Sequence, residues 1–125
     1  VTLSAQAASI VVDASGDDNI GRQIAYELKE KIAASRQHKL VYSRDEAAFR
    51  IILVTVANSE NVSSSNSVVL VWKNYTGVGG FDFFVTSLAG NCGRSVVGQC
   101  AANILAGVDK EMTDIVSIVS SSVPK

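Results

Sequence analysis

The 125-residue chain predicts an α/β two-layer sandwich: a mixed, mostly antiparallel sheet of about five strands with two amphipathic helices on one face. Three observations predict it. Two stretches, Ile20 to Ile32 and Val97 to Val119, place apolar residues at helical spacing. Three β-rich runs, starting at Phe49, Ser67 and Phe81, lie between them and are separated by turn chemistry. No internal repeat, Pro-rich linker or composition break divides the chain, so one domain over residues 9–119 is expected, in the order β-α-β-(short helix)-β-β-β-α. Residues 1–8 are expected to be a signal-peptide remnant or flexible terminus, and residues 120–125 a flexible tail.

Ser9 to Ala14 is a β-branched run that ends in Ser15-Gly-Asp-Asp-Asn19, a turn cluster rich in helix N-cap residues. A strand therefore passes into a helix. Ile20, Ile24, Ala25, Leu28 and Ile32 form that helix's apolar stripe, with most of its charges on other faces. Leu40-Val-Tyr42 reads as a short strand, and Ser43-Arg-Asp-Glu46 has the spacing of a capping box that opens one short turn. A right-handed crossover through the first helix would set the first two strands parallel.

Phe49 to Ala57 is apolar at both parities, as in a central strand covered on both faces. Asn58 to Asn66 reads as a polar, mobile hairpin tip between it and the strand Ser67 to Tyr75. Thr76-Gly-Val-Gly-Gly80 is a turn before the strand Phe81 to Leu88. The closing helix carries Val97, Cys100, Ala101, Ile104, Leu105, Val108, Met112, Ile115, Val116 and Val119 on one stripe. Gly98 and Gly107 interrupt it, and each marks a place where the helix would lie close to the sheet.

Eleven basic residues against twelve acidic ones leave a net charge of -1, which gives no global field to recruit nucleic acid or an anionic membrane. No apolar run reaches the length of a membrane span. Ala5-Gln-Ala7, among small residues, has the pattern of a secretory cleavage region, and points to a periplasmic or secreted protein.

Cys92 and Cys100, the only cysteines, stand in a turn and near the start of the closing helix, a separation that a disulfide can bridge. The bridge would pin the helix start. A competing reading makes Cys92 a reactive thiol beside Arg94, but the only base is His38, set in polar surroundings where a helix end and its dipole account for it. Two cysteines and one histidine also fall short of a zinc set, so no metal or cofactor is expected. Asp13, Asp17 and Asp18 read as helix-capping carboxylates, with a ligand site or small enzyme as the alternative. Gly77 to Gly80 leads into a strand and so is a hairpin turn, not a phosphate loop. Asn91 to Ser95 does precede a helix, and Arg94 with Ser95 is the minor candidate for an anion site. Asn61 and Asn74 each open a glycosylation tripeptide, relevant only in a eukaryotic secretory host.

The strongest functional signal is surplus apolar strand surface. Trp72, Tyr75, Phe81, Phe83 and Phe84 belong to strands apolar at both parities, yet two helices cover only one sheet face. These five are the candidate interface residues, for a protein partner or a second copy of the chain.

Ile10-Val-Val-Asp13, the capped helix, Leu40-Val-Tyr-Ser43 and Ala48-Phe-Arg-Ile-Ile-Leu-Val-Thr-Val56 together resemble the small α/β modules of bacterial envelope proteins. The TolB amino-terminal domain and the CsgG-like periplasmic domains are the families concerned. The resemblance follows the order of elements over most of residues 9–119, and the Cys92/Cys100 pair is not part of it. It implies an envelope compartment, with possible association with an envelope complex, and this architecture. The expectation is a non-enzymatic exported binding or assembly module.

Overall fold

A computed structural model describes residues 8–58, 62–73 and 82–122, with side chains of 119–122 left aside. The elements follow in the order β1 (Ala8–Ser15), α1 (Asn19–Ala34), β2 (His38–Leu40), a 3-10 turn at Arg44–Glu46, β3 (Phe49–Ala57), β4 (Ser63–Lys73), β5 (Asp82–Gly93), a second 3-10 turn at Arg94–Val96, and α2 (Val97–Ser122). The sheet runs β2-β1-β3-β4-β5. Its two parallel ladders, β1 with β2 and β1 with β3, are short; the antiparallel ladders of β3–β4 and β4–β5 are long. This is the mixed two-layer α/β sandwich expected.

Helix α1 starts where the sequence supplies a cap. The Asp18 side chain accepts from the Gly21 N–H at 2.9 Å, and Asp18 itself is extended, as an N-cap residue must be. The stripe Ile20, Ile24, Ala25, Leu28 and Ile32 is buried throughout. From α2, Val97, Ala101, Ile104, Val108 and Met112 join the same core, while Cys100, Leu105, Ile115 and Val116 pack partly buried against it. The sheet contributes Ile10 and Val12, then Phe49, Ile51 and Leu53, then Val68 and Leu70. Each such side chain contributes roughly 1.5–3 kcal/mol of transfer free energy, so this layer sets the stability of the domain.

Several boundaries differ from the sequence reading. Strand β1 includes Ala8, and β2 is His38–Leu40, so Tyr42 stands outside it and is exposed. Asn58 to Asn66 is not all loop: Ser64 to Asn66 pair in register with Ala57 to Thr55, and Ser63 to Asn66 with Gly93 to Gly90. Small polar side chains lower strand propensity, but here two neighbouring strands satisfy the backbone. β5 accordingly continues through Asn91 and Cys92 to Gly93 instead of turning at Ala89. Helix α2 runs on to Ser122, into the segment read as a tail. Thr76 to Gly80 and Ala5 to Ala7 lie outside the described residues.

Gly107 does mark a close approach to the sheet, since a Cβ there would sit 3.1 Å from Leu88 Cδ1. Gly98 does not. Its nearest neighbour is the Glu27 carboxylate of α1, at 3.8 Å.

Candidate functional site: an open apolar sheet face

Residues paired across a ladder share a face, so the register sorts every strand residue. Ile10, Val12, Phe49, Ile51, Leu53, Val68, Leu70 and Trp72 fall on one face, and the first seven belong to the core under the helices. The other parity, Val11, Asp13, Arg50, Ile52, Val54, Val56, Val69 and Val71, faces away from both helices.

Part of that second face has its own cover. The connection between β2 and β3 passes beneath β1, where Val41 and Ala47 bury Val11 in a small separate cluster. Next to it Asp13 is held by Arg50 and by Arg44, the latter at 3.0 Å. Burial pushes the Asp13 carboxyl up, but hydrogen bonds and charge from Arg50 and Arg44 outweigh it and hold the group below its ordinary value. Asp13 is thus a charged rim residue, not a helix cap.

Over β3, β4 and β5 the described residues provide no such cover. Val54 is 42% exposed, Val56 64% and Phe84 59%, with Ile52, Val69 and Val71 half-buried among them. A β-bulge between Leu70 and Val71 shifts the ladder so that Phe84 stands opposite Val71, on this open face, while Phe83 pairs with Trp72 on the helix side. Farther along, Ser65, Ser67, Ser87 and Asn91 end the apolar patch with small polar groups. Ser65 Oγ lies 2.7 Å from Asn91 Oδ1 and 3.1 Å from Asn58 Oδ1, which ties β4 to β5 at this end.

The five candidate interface residues are therefore divided. Of the three among the described residues, only Phe84 lies on the open face. Trp72 stacks on Phe49 with ring centroids 5.5 Å apart and packs against the core, and Phe83 follows it. The correction has a physical cause: period-2 alternation says that neighbours alternate, but not which parity meets the helices. Tyr75 and Phe81 lie outside the described residues. The aliphatic members of the patch, Ile52, Val54 and Val56 of β3 and Val69 and Val71 of β4, are not among the five; their signal in the sequence is that both parities of these two strands are apolar.

The remaining candidates are structural or separate. Cys92 and Cys100 are joined, with Cα atoms 6.0 Å apart, and Cys92 is a buried strand residue instead of a turn residue. His38 is not exposed at a helix end: its ring, 9% exposed, pairs through Nε2 with Asp109 of α2. Asp17 is exposed in the β1–α1 loop, and Arg94 with Ser95 lines a groove between α1 and α2. Asp13, Asp17 and Arg94 do not converge, since Asp13 is on the sheet face opposite both helices. Among the described residues no group of three His, Cys, Asp or Glu is placed to hold a metal. No helix among them is long and apolar enough to cross a membrane.

A tight polar knot sits beneath the start of α1. Thr55 Oγ1 donates to Asp18 Oδ1 at 2.8 Å, and Thr55 and Ser64 are the two buried polar side chains of the described core. Burial pushes the Asp18 carboxyl up, but the Ser64 and Thr55 hydroxyls and the Gly21 N–H together bring it below its ordinary value. Gly16, at φ +140°, and Gly21 make room for it, because a Cβ at either would come within 2.2 Å of Thr55 Oγ1. This knot lies at the carboxyl ends of β1 and β3, beside cavities of about 280 and 480 Å³.

No family model and no curated protein matches this chain. Among solved structures it is similar to the hypothetical protein CT253 from Chlamydia trachomatis, with a TM-score of 0.42 and 11% identity, over 70% of this chain and 72% of that one. A likeness that distant carries no functional argument.

Proposed function

We propose that this chain is a non-enzymatic, exported protein-protein binding or assembly module, and that the open face of β3, β4 and β5 is its contact surface. The observation that carries the reading is the exposure of Val54, Val56 and Phe84 on a sheet face that neither helix covers. Contiguous apolar surface of this kind costs free energy in water and is retained where something covers it. The occupant we commit to is a second copy of the chain. The patch is apolar and uncharged in its middle, with Asp13, Arg44 and Arg50 on one margin. A two-fold axis would bring like apolar centres together and leave both signs of charge at the rim, as an isologous interface requires. Packing two open faces would convert the two-layer domain into an α/β/β/α assembly, with sheets about 10 Å apart.

Export is supported by the Cys92–Cys100 bridge, since structural disulfides persist in oxidising compartments. A periplasmic or secreted setting, in the manner of the TolB amino-terminal and CsgG-like modules, follows as part of the same proposal. Size-exclusion chromatography with light scattering tests the assembly: a mass of twice the 13.2 kDa chain is expected, and a single-chain mass at every concentration contradicts it. Thiol quantification under denaturing conditions tests export. Two free thiols in protein taken from its native cells would remove that part of the reading.

A further inference from the structure

We propose that the second copy sits with its two-fold axis along an oblique apolar stripe on the open face, so that the β2–β3 connection of each copy fills a shelf of small residues on the other. This setting rests on the two-fold assembly proposed above and fixes how its copies face each other.

Register gives the patch its shape. On the open side Val71 stands beside Phe84, Ile52 beside Val69, Val54 beside Ser67 and Val56 beside Ser65. The apolar side chains thus begin on β5, cross β4 and end on β3, as one stripe about 20 Å long in the strand direction and about 10 Å across it. Its two flanks differ. On one, residues 41–47 must pass over β1, because β1 lies between β2 and β3 in the sheet. They pass on the open side, where Val41 and Ala47 close over Val11 and Arg44 reaches Asp13. A chain segment lying on a sheet stands above it as a ridge, and Tyr42 on this one is 82% exposed. On the other flank Ser67, Ser87 and Ala89 are exposed, uncharged and no larger than serine, so the surface there is a low shelf.

Two placements of a two-fold axis between facing sheets lay such a stripe on itself. An axis across the stripe brings like flanks together. Ridge then meets ridge, which holds the apolar side chains apart, and shelf meets shelf, which leaves a gap. An axis along the stripe brings unlike flanks together. Each ridge then occupies the space above the other copy's shelf, while the stripes meet at the spacing of about 10 Å found between packed sheets. Only this second placement is close-packed from centre to rim. The offsets agree with it. With strands about 4.8 Å apart, Asp13 beside the ridge and Ala89 on the shelf each lie roughly 8 Å from the long axis of the stripe, on opposite sides and at nearly the same level.

Mixed dimers of spin-labelled and ¹⁵N-labelled chains test the setting by NMR, with the label on Tyr42→Cys and the Cys92–Cys100 bridge kept intact. Broadening of amide signals in the ¹⁵N-labelled copy should be strongest at residues 86–90. Strongest broadening at residues 41–47 would place ridge against ridge and overturn the proposal, as would broadening centred anywhere else. Ser87→Trp supplies a second measurement. Beneath a ridge the added ring overpacks and should weaken association by about tenfold or more. Opposite another shelf it would fill a gap, so unchanged or tighter association also overturns the proposal. Tyr42 and Ser87 are exposed, and an unchanged circular dichroism spectrum will show that both variants keep the fold. A parent chain that sediments as a monomer overturns the assembly and its setting together. A dimer with the other broadening pattern overturns the setting alone.

Discussion

Thr55 on β3 donates its hydroxyl proton to the same Asp18 carboxylate that caps α1, so the helix start and the middle of the sheet are fastened through one side chain. Asp18→Ala should cost about 1–2 kcal/mol from loss of the cap, and more because Thr55 loses its buried acceptor. Urea denaturation of Asp18→Ala, Thr55→Val and the double variant will show coupling. The double variant should be more stable than the sum of the two single losses indicates.

Gly21 and Gly98 are both helical glycines with opposite expected behaviour. A methyl at Gly21 would meet Thr55 Oγ1 at 2.0 Å and Asp18 Oδ1 at 2.6 Å, whereas one at Gly98 makes ordinary contact with Glu27. Gly21→Ala should therefore destabilise by about 1–3 kcal/mol or more through overpacking. Gly98→Ala should stabilise by up to about 1 kcal/mol, because alanine is the better helix former and nothing opposes it. Thermal melts of the two variants check both signs.

The Cys92–Cys100 bridge closes a short loop, with a separation of 8 residues. Constraint of the unfolded chain by such a loop contributes about 2–3 kcal/mol. Cys92→Ser with Cys100→Ser should lose at least that much, since a serine hydroxyl at position 92 is buried in the core. The alanine pair should lose less. Comparison of urea midpoints for the two pairs checks the order.

Asp13 and Asp18 titrate below their ordinary value of 3.8 in the folded chain. The unfolded chain therefore takes up protons first as the pH falls. Their contribution to stability is fully present above that value and is lost as the pH drops through the lower folded values. Asp13→Asn and Asp18→Asn should each be less stable than the parent at neutral pH, and the differences should narrow in acid. Unfolding free energies measured from neutral pH to below pH 3.8 check the direction.

Much of the architecture was legible because it rests on local pattern. The run Phe49 to Ala57 is β3 residue for residue, and each apolar position read on α1 is buried. What escaped depended on long-range partners. His38 read as a solvated residue because its partner, Asp109, is 71 positions away. Ser63 to Asn66 read as loop because serine and asparagine have poor strand propensity, which two flanking ladders override. The surplus of apolar strand surface was visible in the sequence, but its composition was not. Register placed Trp72 against Phe49 under the helices and left the valines of β3 and β4, with Phe84, on the open side.

Sedimentation velocity of the parent chain beside Val54→Arg and Phe84→Arg tests the central claim most directly. Both positions are exposed, so a charge there should leave the isolated fold intact while placing an unpaired charge in the contact surface. The parent should sediment as a concentration-dependent dimer, and both variants as folded monomers with unchanged melting. A parent that stays monomeric throughout, or a dimer that survives both substitutions, would contradict a contact surface on the open face.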